Sequence, residues 1–247
     1  MNVAAAVARK TLWRVAFTLT GGLRVSGASA LPAGPCVIVA NHCSHADTAA
    51  LIAALPARRR PAVAAAADYW FRGGLRPRIC RALCAAFPVR RTGGGSADLA
   101  AAVRLLAAGH DVIVFPEGTR SRDGSTGEFH RGAARLAAAA GVPLMPAGIS
   151  GTRILLPPGG GPGRPRRAVV TVRIGAPLMV PGETKSKAPQ DAVSHVTLEA
   201  RAQVVALAAA RTAGAIHDHG QFRGRYGAVA RLACSDRIVP AAASRSR

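Results

Sequence analysis

The chain has 247 residues, half of them apolar and only 4% aromatic, with 33 Lys plus Arg against 12 Asp plus Glu, a formal charge of +21. That length and apolar content exclude a disordered tail protein and allow one α/β domain with a sizeable core. The charge favours polyanions, whether nucleic acid, anionic lipid headgroups or phosphorylated substrates, and does not choose among them.

The N-terminal "MNVAAAVARKTLWRVAFTLTGGLRV" is interrupted by Arg9, Lys10 and Arg14, which excludes a spanning segment, since that needs about 20 mostly apolar residues. As a helix it places Leu12, Val15, Ala16 and Leu19 on one stripe, flanked by Trp13 and Phe17. Lys10 and Arg14 fall away from that stripe. This pattern fits a helix lying in a membrane interface with its basic side chains toward headgroups, and equally a helix packed on the domain. "ASA" at 28–30 resembles a signal cleavage site, but the apolar core before it is short and broken.

Apolar runs at 36–40, 111–115, 142–150 and 169–175 read as strands, each ending in turn or polar residues. Alanine-rich stretches at 47–55, 64–86, 97–108, 131–140 and 189–210 read as helices. Their alternation predicts an α/β fold: a single domain with a mixed, largely parallel sheet flanked by helices, plus the N-terminal interfacial helix. The expected organisation is helix and linker over 1–30, the domain over 31–210 and a loosely ordered basic tail over 211–247. "PPGGGPGRPRR" (157–167) reads as a long loop or flap. Cys36, Cys43, Cys80, Cys84 and Cys234 are odd in number and scattered, which suits a reducing compartment rather than a disulfide framework. Cys80 and Cys84 read as small core residues.

Two polar clusters follow strands, where functional groups of such sheets gather. In the first, "NHCSHAD" (41–47), His42 is the side chain best able to move a proton near neutral pH. Asp47 can hold its ring only if His42 stays in a loop and the helix starts near Ser44 to Asp47. Four readings stand: a base with its carboxylate, a metal site from His42, Cys43, His45 and Asp47, a Cys43 nucleophile, or a helix cap from Ser44 or Asp47. In the second, "FPEGTRSRDG" (115–124), glycine permits close backbone approach, Arg120 suits a phosphate, and Glu117 could orient an arginine or accept from a substrate hydroxyl. Arg90 and Arg91 in "FPVRR" and Arg131 in "FHRG" could bring further guanidinium groups to the same anion.

In this order, from about residue 31 to 180, the clusters resemble the glycerolipid acyltransferases, including the 1-acylglycerol-3-phosphate acyltransferases. Asn41, His42 and Asp47 match that family's N-H-x4-D motif, and Phe115 to Ser121 match F-P-E-G-T-R-S in full. "FPVRR" matches the motif with an arginine after an apolar residue, Arg91 being the better candidate, and "VPLMPAGI" matches the V-P-x-x-P strand. The family's F-K-x-G appears as "FHRG", with His130 in the lysine position and Arg131 beside it.

The resemblance implies an O-acyltransferase in which His42, held by Asp47, takes a proton from an acceptor hydroxyl that attacks an acyl thioester. It further implies that Arg91, Glu117, Gly118, Thr119, Arg120 and Arg131 bind the acceptor's phosphate end. The expected acceptor is a lysophospholipid, foremost 1-acylglycerol-3-phosphate giving phosphatidate. Acyl-CoA or acyl carrier protein serves as co-substrate, and no cofactor or metal is expected. The enzyme is expected at the cytoplasmic face of the cell membrane, peripherally bound to its anionic surface, with the N-terminal helix and "PARRRP" (56–61) toward lipid. Alternatives are another lyso-lipid acceptor such as lyso-ornithine lipid, or a thioesterase. A serine hydrolase is disfavoured because no G-x-S-x-G occurs, and a specific nucleic-acid partner because stacking aromatics and a binding motif are lacking.

Overall fold

A computed structural model describes residues 3–56, 58–90, 95–157, 166–180 and 190–210. Arg91, most of the loop 157–167 and the basic tail 211–247 lie outside the described residues. Among those described, seven strands form one sheet in the order β1-β7-β6-β2-β5-β3-β4. They are β1 (Leu23–Ser26), β2 (Val37–Ala40), β3 (Pro61–Ala66), β4 (Ala86–Val89), β5 (Asp111–Val114), β6 (Leu144–Ser150) and β7 (Val170–Ile174). Every neighbouring pair is parallel except β6 with β7, so the sheet is mixed and largely parallel, as the alternation predicts.

The central strands are buried on both faces, and successive residues serve opposite cores. Ile38, Ala40, Ile113, Met145 and Ile149 join one core, with α1 (Val3–Leu19) and α2 (Ala46–Ala54) on that side. Val37, Val39, Val112 and Leu144 face the other. That second core is closed by α5 (Gly95–Ala107), α6 (Gly132–Ala140) and α8 (Gln190–Ala209). Helix α8 lies directly on β6 at Gly148, where an added Cβ would stand 2.3 Å from the Ala208 nitrogen. Only glycine admits that approach.

The stretch 64–86 is not one helix. It contains β3, the short α3 (Ala67–Trp70), α4 (Arg76–Cys84) and β4. Alanine has the strongest intrinsic helix preference, but tertiary context overrides propensity, here through the pairing of β3 between β5 and β4. The sheet also begins earlier than expected: β1, inside the expected linker, pairs with β7 along its whole length.

Helix α1 forms as expected and packs on the domain, with its basic residues bonded to the ends of other helices. Lys10 Nζ donates to Leu55 O and Arg14 Nε to Ala53 O, at the C-terminal end of α2. Arg9 Nε and Trp13 Nε1 donate to Ala82 O and Leu83 O at the C-terminal end of α4. Terminal helix carbonyls lack intrahelical partners and carry partial negative charge, so cations settle there. The outward face of α1 is apolar, with Val3, Val7, Leu12, Val15 and Leu19 exposed. No described helix is long and apolar enough to cross a membrane.

In "PARRRP", Arg58 is exposed, while the neighbouring arginines are engaged in the fold. Arg59 is buried, and its Nε and Nη2 grip both oxygens of Asp111. Its Nη1 donates to Pro32 O and Gly34 O at 2.7 and 2.9 Å. Asp111 Oδ1 also accepts the Cys36 N–H at 3.1 Å, so the pair clamps the amino ends of β2 and β5. Arg60 donates to Ala108 O. Removing one partner strands a buried charge, so Arg59→Ala should cost about 3–5 kcal/mol in urea unfolding. A loss below about 1 kcal/mol would contradict the clamp.

Candidate active site

Strand β2 ends at Ala40, and the next side chain fixes its end. Asn41 is buried; its Nδ2 donates to Ile149 O at 2.9 Å and its Oδ1 accepts the Ile149 N–H at 2.8 Å. The amide thus continues the β2–β6 ladder by one step and aims His42 out of the sheet's carboxyl end. Helix α2 begins at Ala46, with Asp47 in its first turn.

Asp47 is completely buried and accepts backward. One oxygen, Oδ2, lies 2.9 Å from His42 Nδ1 and 2.7 Å from both the Cys43 and Ser44 nitrogens. With Asp47 as a carboxylate, which can only accept, this contact favours the tautomer with its proton on Nδ1. Phe115 stacks on the imidazole at 4.1 Å and 18°, and 18% of the His42 side chain remains exposed. Ser44 Oγ accepts the Ala46 N–H and donates to Leu156 O. Neither Ser44 nor Asp47 is the N-cap of α2: that position is His45, without a side-chain cap bond, and Asp47 turns instead to the loop before the helix.

Cys43 enters the site through its backbone N–H. Its thiol is buried beside Thr152 Oγ1, at 3.5 Å, and burial followed by the Asp47 charge pushes its pKa up, which disfavours a thiolate nucleophile. His45 contacts Tyr69 and Trp70, with centroids at 6.5 and 5.5 Å. Burial, then the charges of Arg120 and His42, lower its pKa below the ordinary value.

The second cluster leaves β5 and folds over the first. Glu117 Oε1 accepts the His42 N–H at 2.7 Å and Oε2 accepts the Gly127 N–H at 2.9 Å, so this carboxylate braces two loops. Ser121 returns a bond from its N–H to His42 O at 2.7 Å. Gly118 turns with φ +70°, and an added Cβ would lie 3.5 Å from the His130 ring. Thr119 is exposed and Arg120 half-buried on the same loop. Arg131 is the exposed N-cap residue of α6. Arg90 pairs with Asp98 of α5 at 3.1 Å, while Arg91 lies outside the described residues.

The structure therefore joins His42, Asp47, Glu117 and the loop bearing Gly118, Thr119 and Arg120. Sequence reasoning did not anticipate the Phe115 stack, the Asn41 bridge or the double acceptor role of Glu117. Asn41 and Phe115 lie within the quoted motifs, but their partners are remote in sequence.

The arrangement places a histidine beside a buried carboxylate at the carboxyl ends of a largely parallel sheet. The chain belongs to the acyltransferase family, whose sequence profile matches residues 22–150. It is similar to the chloroplastic 1-acyl-sn-glycerol-3-phosphate acyltransferase BAT2 of Brassica napus, with 46% identity over 57 residues, 23% of this chain and 17% of that protein. It is also similar to the human 1-acyl-sn-glycerol-3-phosphate acyltransferase alpha, with 36% identity over 117 residues, 47% of this chain and 40% of that protein. These matches span less than half the length of either relative. In fold it is similar to the crystal structure of the 1-acyl-sn-glycerophosphate acyltransferase PlsC from Thermotoga maritima. The TM-score is 0.57 at 23% identity, covering 81% of this chain and 79% of that one.

Glu117→Gln tests the brace. An amide in this position turns one acceptor into a donor facing a backbone N–H, so folding stability should fall by about 1–3 kcal/mol in denaturant titration. Unaltered stability would show that the two N–H groups do not depend on the carboxylate.

Proposed function

We propose that the chain transfers a fatty acyl group from an acyl thioester, acyl-CoA or acyl carrier protein, to a lysophospholipid hydroxyl. The preferred acceptor is 1-acylglycerol-3-phosphate, giving phosphatidate. The observation that carries this reading is the His42–Asp47 hydrogen bond, with Asp47 immobilised by the Cys43 and Ser44 N–H groups. It gives His42 the tautomer a base needs, and family membership supports the reaction class.

In this reading His42 Nε2 takes the acceptor's hydroxyl proton as the oxygen attacks the thioester carbonyl carbon. The tetrahedral intermediate collapses with cleavage of the C–S bond, and the thiolate leaves with the proton from His42. No acyl-enzyme forms. Asp47 stabilises the transient imidazolium, and the flat Phe115 ring restricts its rotation. Positioned base catalysis supplies roughly 10²–10⁴ in rate, and orientation of the two substrates supplies much of the remainder. Arg120, Thr119 and Gly118, together with Arg91 and Arg131, receive the acceptor's phosphate end. Glu117 contributes by fixing the geometry of that loop against His42.

The protein works, in this account, peripherally on the cytoplasmic face of an anionic membrane. The exposed apolar row of α1 supports insertion into the interface, and the net charge of +21 supports attraction to anionic headgroups.

The test combines purified protein, palmitoyl-CoA and liposomes with lysophosphatidate, other lysophospholipids, lyso-ornithine lipid or no acceptor, read by lipid mass spectrometry. Diacyl product should require acceptor, be greatest with lysophosphatidate, and fall at least about 100-fold in His42→Ala. Free palmitate regardless of acceptor would replace the reading with a thioesterase, and undiminished product in the variant would remove His42 from it. For the membrane contact, Val15→Asp combined with Leu19→Asp should weaken co-sedimentation with anionic vesicles by about tenfold or more. Unchanged binding would place the contact elsewhere.

A further inference from the structure

The loop over residues 115–131 joins β5 to α6 without a helix or strand of its own. Such long connections inside compact domains need anchoring if they are to hold a ligand. Apart from the Ser121 N–H on His42 O, much of the turn at 121–125 is knitted to itself. Asp123 Oδ1 accepts from Ser121 Oγ, Ser125 N and Ser125 Oγ, and Ser121 Oγ accepts the Gly124 N–H. These bonds shape a turn but attach it to nothing.

Two arginines outside every motif supply the attachment. Arg153, on the short α7 (Thr152–Leu155) immediately after β6, donates from Nη1 to Asp123 O and from Nη2 to Arg122 O, the latter at 2.7 Å. Gly124, with φ +93°, leaves room for that guanidinium: a Cβ there would lie 2.6 Å from Arg153 Nη1. Arg201, on α8, donates from Nε to Gly127 O at 2.7 Å and from Nη2 to Thr126 O at 3.1 Å. Each planar fork spans two consecutive carbonyls, which a lysine ammonium does not reproduce.

Both arginines are rooted on β6. α7 follows that strand directly, with Thr152 and Leu155 buried, and α8 rests on it at Gly148. The same strand holds the end of β2 through Asn41 and Ile149. His42 and the loop bearing Arg120 therefore take their positions from one common element.

We infer that Arg153 and Arg201 are positioning residues that strap the Glu117–Arg120 loop to β6 and thereby set the affinity for the anionic end of the acceptor. This rests on the acyltransferase reading for its ligand, and on geometry alone for the strap. Arg120 lies two residues before the first strapped carbonyl. Freeing residues 122–123 lets its guanidinium sample many positions, which weakens acceptor binding more than it alters the His42–Asp47 pair.

The experiment compares Arg153→Ala, Arg201→Ala and the two Lys variants with the wild-type full chain, titrating lysophosphatidate and palmitoyl-CoA separately. Amide hydrogen exchange is followed in parallel. Arg153→Ala should raise the acceptor KM about tenfold or more, leave kcat within about threefold and leave the palmitoyl-CoA KM unchanged. Arg153→Lys should recover only part of the loss, and Arg201→Ala should show the same split more weakly. Exchange at Ser121, Gly124, Ser125 and Gly127 should accelerate at least about tenfold, with the β2 and β6 amides unchanged. Equal losses in kcat and both KM values with a lowered unfolding midpoint would overturn the positioning role in favour of bulk stability. Unchanged loop exchange would overturn the strap itself. If the wild type forms no diacyl product, the acyltransferase reading fails, and the exchange comparison still decides the strap.

Discussion

A buried carboxylate must be compensated or it neutralises, and Asp47 shows what that compensation builds. Its Oδ2 collects the His42 ring N–H and two successive backbone N–H groups. Those bonds require the chain to fold back between β2 and α2, which fixes the loop bearing His42. The loop then offers its own backbone to the second cluster: the His42 N–H to Glu117 and the His42 carbonyl to Ser121. One desolvated acceptor thus determines where His42 stands and, through it, where the loop bearing Glu117 and Arg120 begins. Asn41 supplies the other boundary by tying the end of β2 to β6. The same logic operates at the opposite end of the sheet, where Arg59 and Asp111 clamp the amino ends of the central strands. The carboxyl end of the sheet holds a carboxylate satisfied by N–H groups, and the amino end a carboxylate satisfied by a guanidinium.

Much of this was legible in the sequence, for physical reasons. Strands buried on both faces read as continuous apolar runs, so 36–40, 111–115, 142–150 and 169–175 were found with boundaries shifted by at most two residues. The His42–Asp47 spacing makes sense only at a strand-to-helix junction, and the apolar run before it marks that junction. Strands β3 and β4 were hidden because their alanines merge with the alanines of the stretch between them, which favour helix by propensity until sheet pairing overrides it. β1 was hidden because an edge strand of four residues carries too little pattern to count.

What stayed invisible are the long-range polar contacts. Arg59, Arg153 and Arg201 look like ordinary surface cations, one within a basic run. Each finds acceptors far along the chain that no local spacing announces. The same holds for α1, whose apolar stripe is legible in the sequence while the acceptors of its basic residues are not. The terminal carbonyls of α2 and α4 accept from Arg9, Lys10 and Arg14, and the apolar row stays exposed. A surface of +21 thus includes cations engaged in the fold itself, and net charge alone overstates what is available to a partner.

The central claim is that Asp47 fixes His42 as the tautomer protonated on Nδ1, leaving Nε2 free to accept a proton. Long-range ¹H–¹⁵N correlation of the His42 imidazole, assigned by comparison with His42→Ala and recorded above its titration, reads the tautomer directly. The account predicts protonated Nδ1 and unprotonated Nε2, with the pattern lost or mixed in Asp47→Ala. A ring protonated on Nε2, or one averaging between tautomers in the intact protein, would contradict it.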